Sequence, residues 1–396
     1  MKNINKVSLP DFDIFLRLIL FICVFIGFIS CNTKEAQSNA QVVVRMPEKN
    51  SGKLTLKYYV DSTAYVKLET DKETLIQSIG RVNIFDNKIY IHDSKLKSLF
   101  VFDMSGKFLF KIHKVGMGPE EYNSFTSFCI DRKKKLVLIH DLSKNSIYKY
   151  SAENGKFEGV VRIKEHKSFA RDIMVLGNGD FLCYSNEYPG EAFCGIWELD
   201  NNGNFKKHLW KQTEVYPVIP TDPSPMLLKQ VKGNLYSVYD VVNNVIYHYD
   251  GYNLKKAYQF DFSHLPIVTV SKYPGLTSMK RAELKLKDVI EVSSVQETSN
   301  YIWIKWVCNE FGTQTFYVKS ENKMILPTKI DLVDGIMGRM VPTDNTDIVC
   351  FQIGAFECRK LVEDDKNNEI GAKVKGLMAK TNPDDNPIVQ ILYMKK

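Results

Sequence analysis

A repeat in the middle of the chain constrains its fold more than any other feature. Lys88-Ile-Tyr-Ile-His-Asp93 is followed by Phe100-Val-Phe102 and a turn at Gly106-Lys-Phe108. Lys135-Leu-Val-Leu-Ile-His-Asp141 is followed in the same way by Ile147-Tyr-Lys-Tyr150 and Gly155-Lys-Phe157. A third copy, Asn234-Leu-Tyr-Ser-Val-Tyr-Asp240, leads to Ile246-Tyr-His-Tyr249. In each copy an Asp ends an alternating strand, and an aromatic residue (Phe102, Tyr150, Tyr249) stands nine positions later. The Asp residues are 48 and then 99 positions apart, one and two copies of a single unit. Looser copies run through Gly179–Ser185 with Ile196–Leu199, and through Tyr301–Trp306 with Thr315–Val318. A unit of ~40–50 residues holding four short strands is the signature of a propeller blade. One blade cannot bury both faces of its sheet, whereas blades stacked around an axis cover one another.

Residues 53–396, divided into units of ~49, would make seven blades, but only six are identifiable. Two stretches absorb the excess. Residues 264–288 include the charged segment Met279–Lys287, and residues 363–380 place Ile370, Val374, Leu377 and Met378 at helical spacing. The sixth unit combines Ile336–Val341, Ile348–Ile353 and Pro387–Tyr393, with its outer strand supplied from the N-terminal side around Tyr65–Glu69. The expected fold is therefore all-β: one six-bladed β-propeller of four-stranded antiparallel blades, closed by strands from both ends of the chain. Composition agrees, since 44% hydrophobic and 12% aromatic residues supply a large core and exclude a disordered chain.

Residues 1–30 read as a lipoprotein signal peptide. Lys2, Lys6 and Arg17 precede the apolar run Leu18–Ile29, which is too short for a ~20-residue membrane span. The run ends at Phe28-Ile29-Ser30-Cys31, which resembles a lipobox, with Cys31 as the lipidated residue. Residues 31–52 are polar and aperiodic and read as a flexible tether, leaving 53–396 as the propeller. The formal net charge of +7 is diffuse, with no basic block beyond Arg132–Lys135, so nucleic acid is not an expected partner. The expected location is the bacterial cell envelope, with the membrane as a partner through lipid on Cys31.

The segment Gly106-Lys-Phe-Leu-Phe-Lys-Ile112, then Gly116-Met-Gly-Pro-Glu-Glu-Tyr122, and the late pair Asn386-Pro387 resemble the six-bladed β-propeller lipoproteins of Bacteroidetes, a family related in shape to NHL-repeat propellers. The resemblance covers most of the chain from about residue 60. It implies the fold and an envelope location, and it implies no reaction.

Arg81, Arg171 and Arg339 each fall near the start of a blade, and if they converge they would form an anion site for a carboxylate or sulfate. Their distances from the next aligned strand are seven, nine and eight residues, so the alternation of strand side chains does not fix a common direction. Glu121 and Tyr122 would stand at the rim of the central channel, unless Gly116–Tyr122 is only a backbone path requiring positive φ at Gly116 or Gly118. His92-Asp93 and His140-Asp141 invite a metal assignment, yet the third copy keeps only the Asp. A strand-end Asp bonding the next turn is the simpler reading, and no metal or cofactor is expected. Cys183 with Cys194 and Cys350 with Cys358 are the pairs that disulfides would use, though free thiols are favoured in a core this large.

No Gly-x-Ser-x-Gly, His-Glu-x-x-His or Cys-x-x-Cys occurs, and no catalytic residue is assigned. The expected function is that of a non-enzymatic lipoprotein binding a glycan or a protein partner. The alternative is a polysaccharide lyase or hydrolase with its site in the channel.

Overall fold

The computed structural model describes residues 42–47, 51–164, 170–185, 195–211, 228–240, 243–263, 268–269, 289–308 and 311–396. The expected signal peptide, Cys31 and the Met279–Lys287 segment lie outside these residues. Six sheets form the blades. Blade 1 is Ile79–Phe85, Lys88–Asp93, Ser98–Asp103 and Phe108–Ile112, hydrogen-bonded in that order. Blade 2 runs from Ser127–Asp131 to Phe157–Arg162, and blade 3 from Asp172–Val175 to Phe205–Lys211. Blade 4 runs from Leu228–Lys232 to Leu254–Asp261, and blade 5 from Val289–Glu297 to Lys323–Ile325. Blade 6 takes Arg339–Val341, Ile348–Ile353 and Ile388–Met394 from the C-terminal side and Val60–Lys67 from the N-terminal side. Val389 stands opposite Val66 in that last pairing.

The blades are built by strong local signals. Asp86 and Asn87, both at positive φ, make the two-residue turn that returns Phe85 onto Lys88. The repeated Asp residues act as clamps. Asp93 accepts the backbone N–H groups of Lys95 (3.0 Å) and Leu96 (2.9 Å) in the turn that follows it, and that of Gln77 (2.6 Å) in the segment entering the blade. Asp141 does the same with Lys144 (3.1 Å) and Asn123 (2.6 Å). The Asp is kept because it satisfies buried backbone donors, as the repeat implied.

Both faces of each sheet are buried against neighbours. One cluster joins Tyr90, Leu99 and Val101 of blade 1 to Phe128, Val137, Ile139 and Tyr148 of blade 2. Others join blades 2, 3 and 4, blades 4 and 5, blades 5 and 6, and blades 6 and 1. Trp197 and Trp303 are among the largest fully buried side chains, and such side chains contribute about 3 kcal/mol each or more on burial. Interblade packing is thus the main source of stability.

Three expectations need correction. The segment read as a flexible tether contains Val42–Arg45, which pairs in parallel with Tyr258–Asp261 at the outer edge of blade 4, because Val44 and Met46 are buried in the cluster between blades 4 and 5. Gly52–Thr55 then pairs with 327–331. The helical stretch is two helices, α1 (Ala355–Asp364) and α2 (Ala372–Ala379), inserted between the second and third strands of blade 6. Cys358, Val374 and Met378 face Ile336, Ile353 and Ile388 to form a satellite core, while Ile370 precedes α2. Neither Gly116 nor Gly118 has positive φ. A Cβ at Gly116 would meet the end of the Glu121 side chain, which would have to turn away from its own loop. Cys129, Cys183, Cys350 and Cys358 are free, buried thiols, and Cys194 lies outside the described residues.

His92 is stacked on Phe125 with ring centroids 4.1 Å apart, and His140 is fully buried without a hydrogen bond to either ring nitrogen. Burial, helped by the nearby Arg81 charge, pushes His92 down to about 3. Burial also takes His140 down to about 4, against the opposing pull of Asp141. Both rings are neutral when folded and protonate when unfolded, so their contribution is complete above the ordinary histidine pKa of about 6.5 and is lost as pH falls. Acidification from pH 7 to 5 is expected to cost about 2 kcal/mol per ring. Urea midpoints at the two pH values should show this drop, and it should shrink in a His92→Phe/His140→Leu variant.

Candidate functional site in the central channel

The first strands of successive blades approach one another around the axis. Arg81, in the first strand of blade 1, is 8% exposed and extends across blade 2. Its Nη1 donates to the Phe128 carbonyl (2.7 Å), and its Nη2 donates to both carboxylate oxygens of Asp172 in blade 3 (2.9 and 3.0 Å). Asp172 in turn accepts the Leu228 N–H of blade 4 (3.1 Å). One buried ion pair therefore ties four blades together.

Shorter links continue round the ring. Lys229 of blade 4, also buried, donates to Gln296 Oε1 of blade 5 (3.3 Å). Ser294 Oγ of blade 5 lies 3.5 Å from Met340 Sδ of blade 6. Burial lowers Lys229 to about 8, although Cys350, Asp344 and Glu297 pull it upward. A lysine at that value remains mostly protonated at neutral pH.

The segment Pro342–Thr346, between the first two strands of blade 6, stoppers the channel where the first strands finish. The Pro342 carbonyl accepts Val82 N–H (2.9 Å), and the Asp344 N–H donates to Asn83 Oδ1 (3.0 Å). Asn345 bonds both backbone groups of Ile84, accepting at 2.7 Å and donating at 2.6 Å, while Thr346 Oγ1 donates to the Gln230 carbonyl (3.1 Å). Asp344 lies 3.7 Å from Arg132 of blade 2. Burial raises its pKa, opposed by Arg132, Arg81 and Lys229.

These contacts fix the places of the residues singled out in the sequence. Arg81 does not join Arg171 and Arg339 around one anion, because Asp172 holds its guanidinium. Arg171 is half-buried and precedes the first strand of blade 3, with its backbone N–H on the Tyr184 carbonyl (2.8 Å). Arg339 is exposed at the start of the first strand of blade 6. The unequal offsets are the reason: Arg81 sits inside its strand opposite His92, whereas Arg171 lies before its own.

Tyr122 is fully buried rather than at a rim. Its hydroxyl donates to the Lys97 carbonyl (2.8 Å), and its ring meets Phe125, Tyr148 and Tyr150 edge-on. Glu121 folds back to accept Gly118 N–H (2.8 Å). Lys144 Nζ donates to the Gly116 (2.9 Å) and Glu121 (2.7 Å) carbonyls. The Gly116–Tyr122 loop is a brace between blades 1 and 2. Asp172, Lys229, Gln296 and Asp344, which make the channel interior, carried no sequence signal beyond a polar residue in an apolar strand or, for Asp344, in a loop.

Removing one partner of a buried pair strands the other, at about 3–5 kcal/mol. Arg81→Met and Asp172→Leu are each expected to lower the unfolding free energy by that amount. The double substitution should cost much less than the two singles combined, as a double-mutant cycle in urea would measure.

No curated protein is significantly similar to the chain in sequence. Among solved structures it resembles a Bacteroides fragilis protein named a candidate exported protein, with 19% identity, a TM-score of 0.68, and coverage of 90% of this chain and 100% of that one. A member of the DUF4221 family from Bacteroides vulgatus has 11% identity and a TM-score of 0.49, over 85% of this chain and 97% of that one. A virginiamycin B lyase from Staphylococcus aureus, solved with quinupristin, has 9% identity and a TM-score of 0.39, over 78% and 79%. The family model described as domain of unknown function DUF4934 matches residues 41–393, from the strand at Val42 to the last strand of blade 6. The chain belongs to the DUF4934 family, among the six-bladed propeller proteins of Bacteroidetes.

Proposed function

We infer that this propeller is a non-enzymatic binding protein of the cell envelope, held there by lipid on Cys31 after removal of residues 1–30. It would present the mouth of the channel where the first strands begin to a glycan or a protein partner. The lipobox-like Phe28–Cys31 and the name of the Bacteroides fragilis relative support export. Several acyl chains on one cysteine would give stable attachment where a single chain is marginal.

The observation that carries the binding reading is the asymmetry of the channel. One end is filled by Pro342–Thr346, and the interior cation Arg81 is matched by Asp172. Arg171 and Arg339 lie toward the opposite end, near the starts of their strands. Guanidinium groups at a mouth suit acidic ligands through paired N–H donors. A lyase or hydrolase would need acid and base groups converging on a substrate-sized space, whereas Arg81 is bonded to Asp172 and Lys229 to Gln296.

Ring closure belongs to the same proposal. The pairing of Val60–Lys67 with Ile388–Met394 would be the clasp that lets every blade keep two neighbours. Asn386 supports it, its Nδ2 donating to the Glu69 (2.8 Å) and Thr74 (2.9 Å) carbonyls while its Oδ1 accepts Ile76 N–H (2.8 Å).

Two outcomes are expected. A glycan-array screen of the propeller should find acidic glycans, with binding lost in an Arg171→Ala/Arg339→Ala variant whose melting is unchanged; undiminished binding would end the proposal. Deleting residues 387–396 should abolish the cooperative unfolding transition seen by circular dichroism, because blade 6 loses its third strand.

A further inference from the structure

The third strands of blades 1 to 4 carry Val101, Lys149, Glu198 and His248 at one equivalent position, opposite Tyr90, Leu138, Leu182 and Ser237. Each side chain meets the following blade. Val101 is buried in the cluster between blades 1 and 2. Glu198 of blade 3 accepts the Tyr249 hydroxyl of blade 4 (2.6 Å) and is paired with Lys206 (2.5 Å). His248 of blade 4 is bonded to Glu297 of blade 5 (2.9 Å). At the polar positions, then, the neighbouring blade supplies the complementary group.

Lys149 is the exception. It is half-buried, and among the described residues no carboxylate lies within ion-pair distance of its Nζ. The space between blades 2 and 3 that it shares is a cavity of about 160 Å³, lined by Leu136, Leu138, Val175 and Phe181 with Lys134 and the Asn201–Asn202 turn at its edge. Asp131 is also in the lining, but one of its carboxylate oxygens already accepts the backbone N–H groups of Lys133 (3.0 Å) and Lys134 (2.9 Å). Burial and the Lys134 charge lower the Lys149 pKa, and the opposing pull of Asp131 does not offset them.

We propose that the cavity between blades 2 and 3 is a binding site for a small monocarboxylate with an apolar body, its carboxylate on Lys149 and Lys134 and its body on Leu136, Leu138, Val175 and Phe181. The volume equals about five waters, which admits a branched short-chain or single-ring acid and excludes a fatty acid or an oligosaccharide. The charge on the ligand supplies what Glu297 supplies to His248. This site is separate from the channel mouth and does not depend on the reading given for it.

The test is calorimetric titration of the full-length chain with benzoate, 3-methylbutanoate, benzamide and inorganic phosphate. Both carboxylates should bind saturably, and benzamide and phosphate at least about tenfold more weakly. Lys149→Met, which keeps an unbranched stem, should abolish carboxylate binding while retaining a cooperative melt. Val175→Glu, which supplies an internal carboxylate from blade 3, should raise the melting temperature and also abolish binding. The proposal is overturned if neither carboxylate binds, if benzamide or phosphate binds as well as benzoate, or if folded Lys149→Met binds benzoate undiminished. Should Lys149→Met fail to fold, benzoate binding by Val175→Glu equal to that of the unsubstituted chain overturns it instead.

Discussion

The contact on which the channel depends is the buried pair of Arg81 and Asp172. Blades pack through apolar side chains whose attraction is strong but without direction, so it brings sheets together without setting their places about the axis. A guanidinium with directed donors does set them, since one nitrogen must meet both oxygens of Asp172 while the other meets the Phe128 carbonyl. Arg81 reaches from blade 1 to blade 3, touching blade 2 on the way, and Asp172 also takes a donor from blade 4. Such a pair adds little net stability, because two charges have left water to form it. Its value lies in geometry, and its consequence is that the channel interior is occupied by the protein's own charges.

The remaining links follow the same logic at lower cost. Lys229 with Gln296, and the stopper at Pro342–Thr346, complete a circuit of polar contacts inside the ring of apolar clusters. The outer circumference is handled differently. Val42–Arg45 lies along the edge of blade 4, and Gly52–Thr55 pairs with the segment that leaves blade 5. An uncovered sheet edge is a template for unwanted pairing, and these two short strands remove part of that hazard.

The fold was readable because each blade advertises itself locally. An alternating strand ending in Asp and an aromatic nine residues on are short-range patterns, and Asp93 and Asp141 were kept for the clamp they form. The site was not readable for the opposite reason. Arg81 and Asp172 are separated by 91 residues and meet only because the ring curves. The Gly116–Tyr122 motif allowed either a channel-rim element or a mere backbone path, and in the packed structure its aromatic residue is interblade core while its glutamate folds onto its own loop. Two helices rather than one follow Ile353 because the chain leaves helical geometry at Asp365 and turns through Asn368 at positive φ before α2 starts. Lys149 lies between the two signals: the repeat marks it as the odd residue among Val101 and His248, but only the packed blades reveal the gap beside it.

On this reading the channel interior organises the ring, and recognition happens elsewhere. The most direct test is the ligand profile of an Arg81→Met/Asp172→Asn variant, in which the residue at position 172 can still accept the Leu228 N–H. If the account holds, a folded variant displays the same glycan-array and benzoate-binding profiles as the unsubstituted chain. A folded variant that has lost those ligands would contradict it and move the site into the channel.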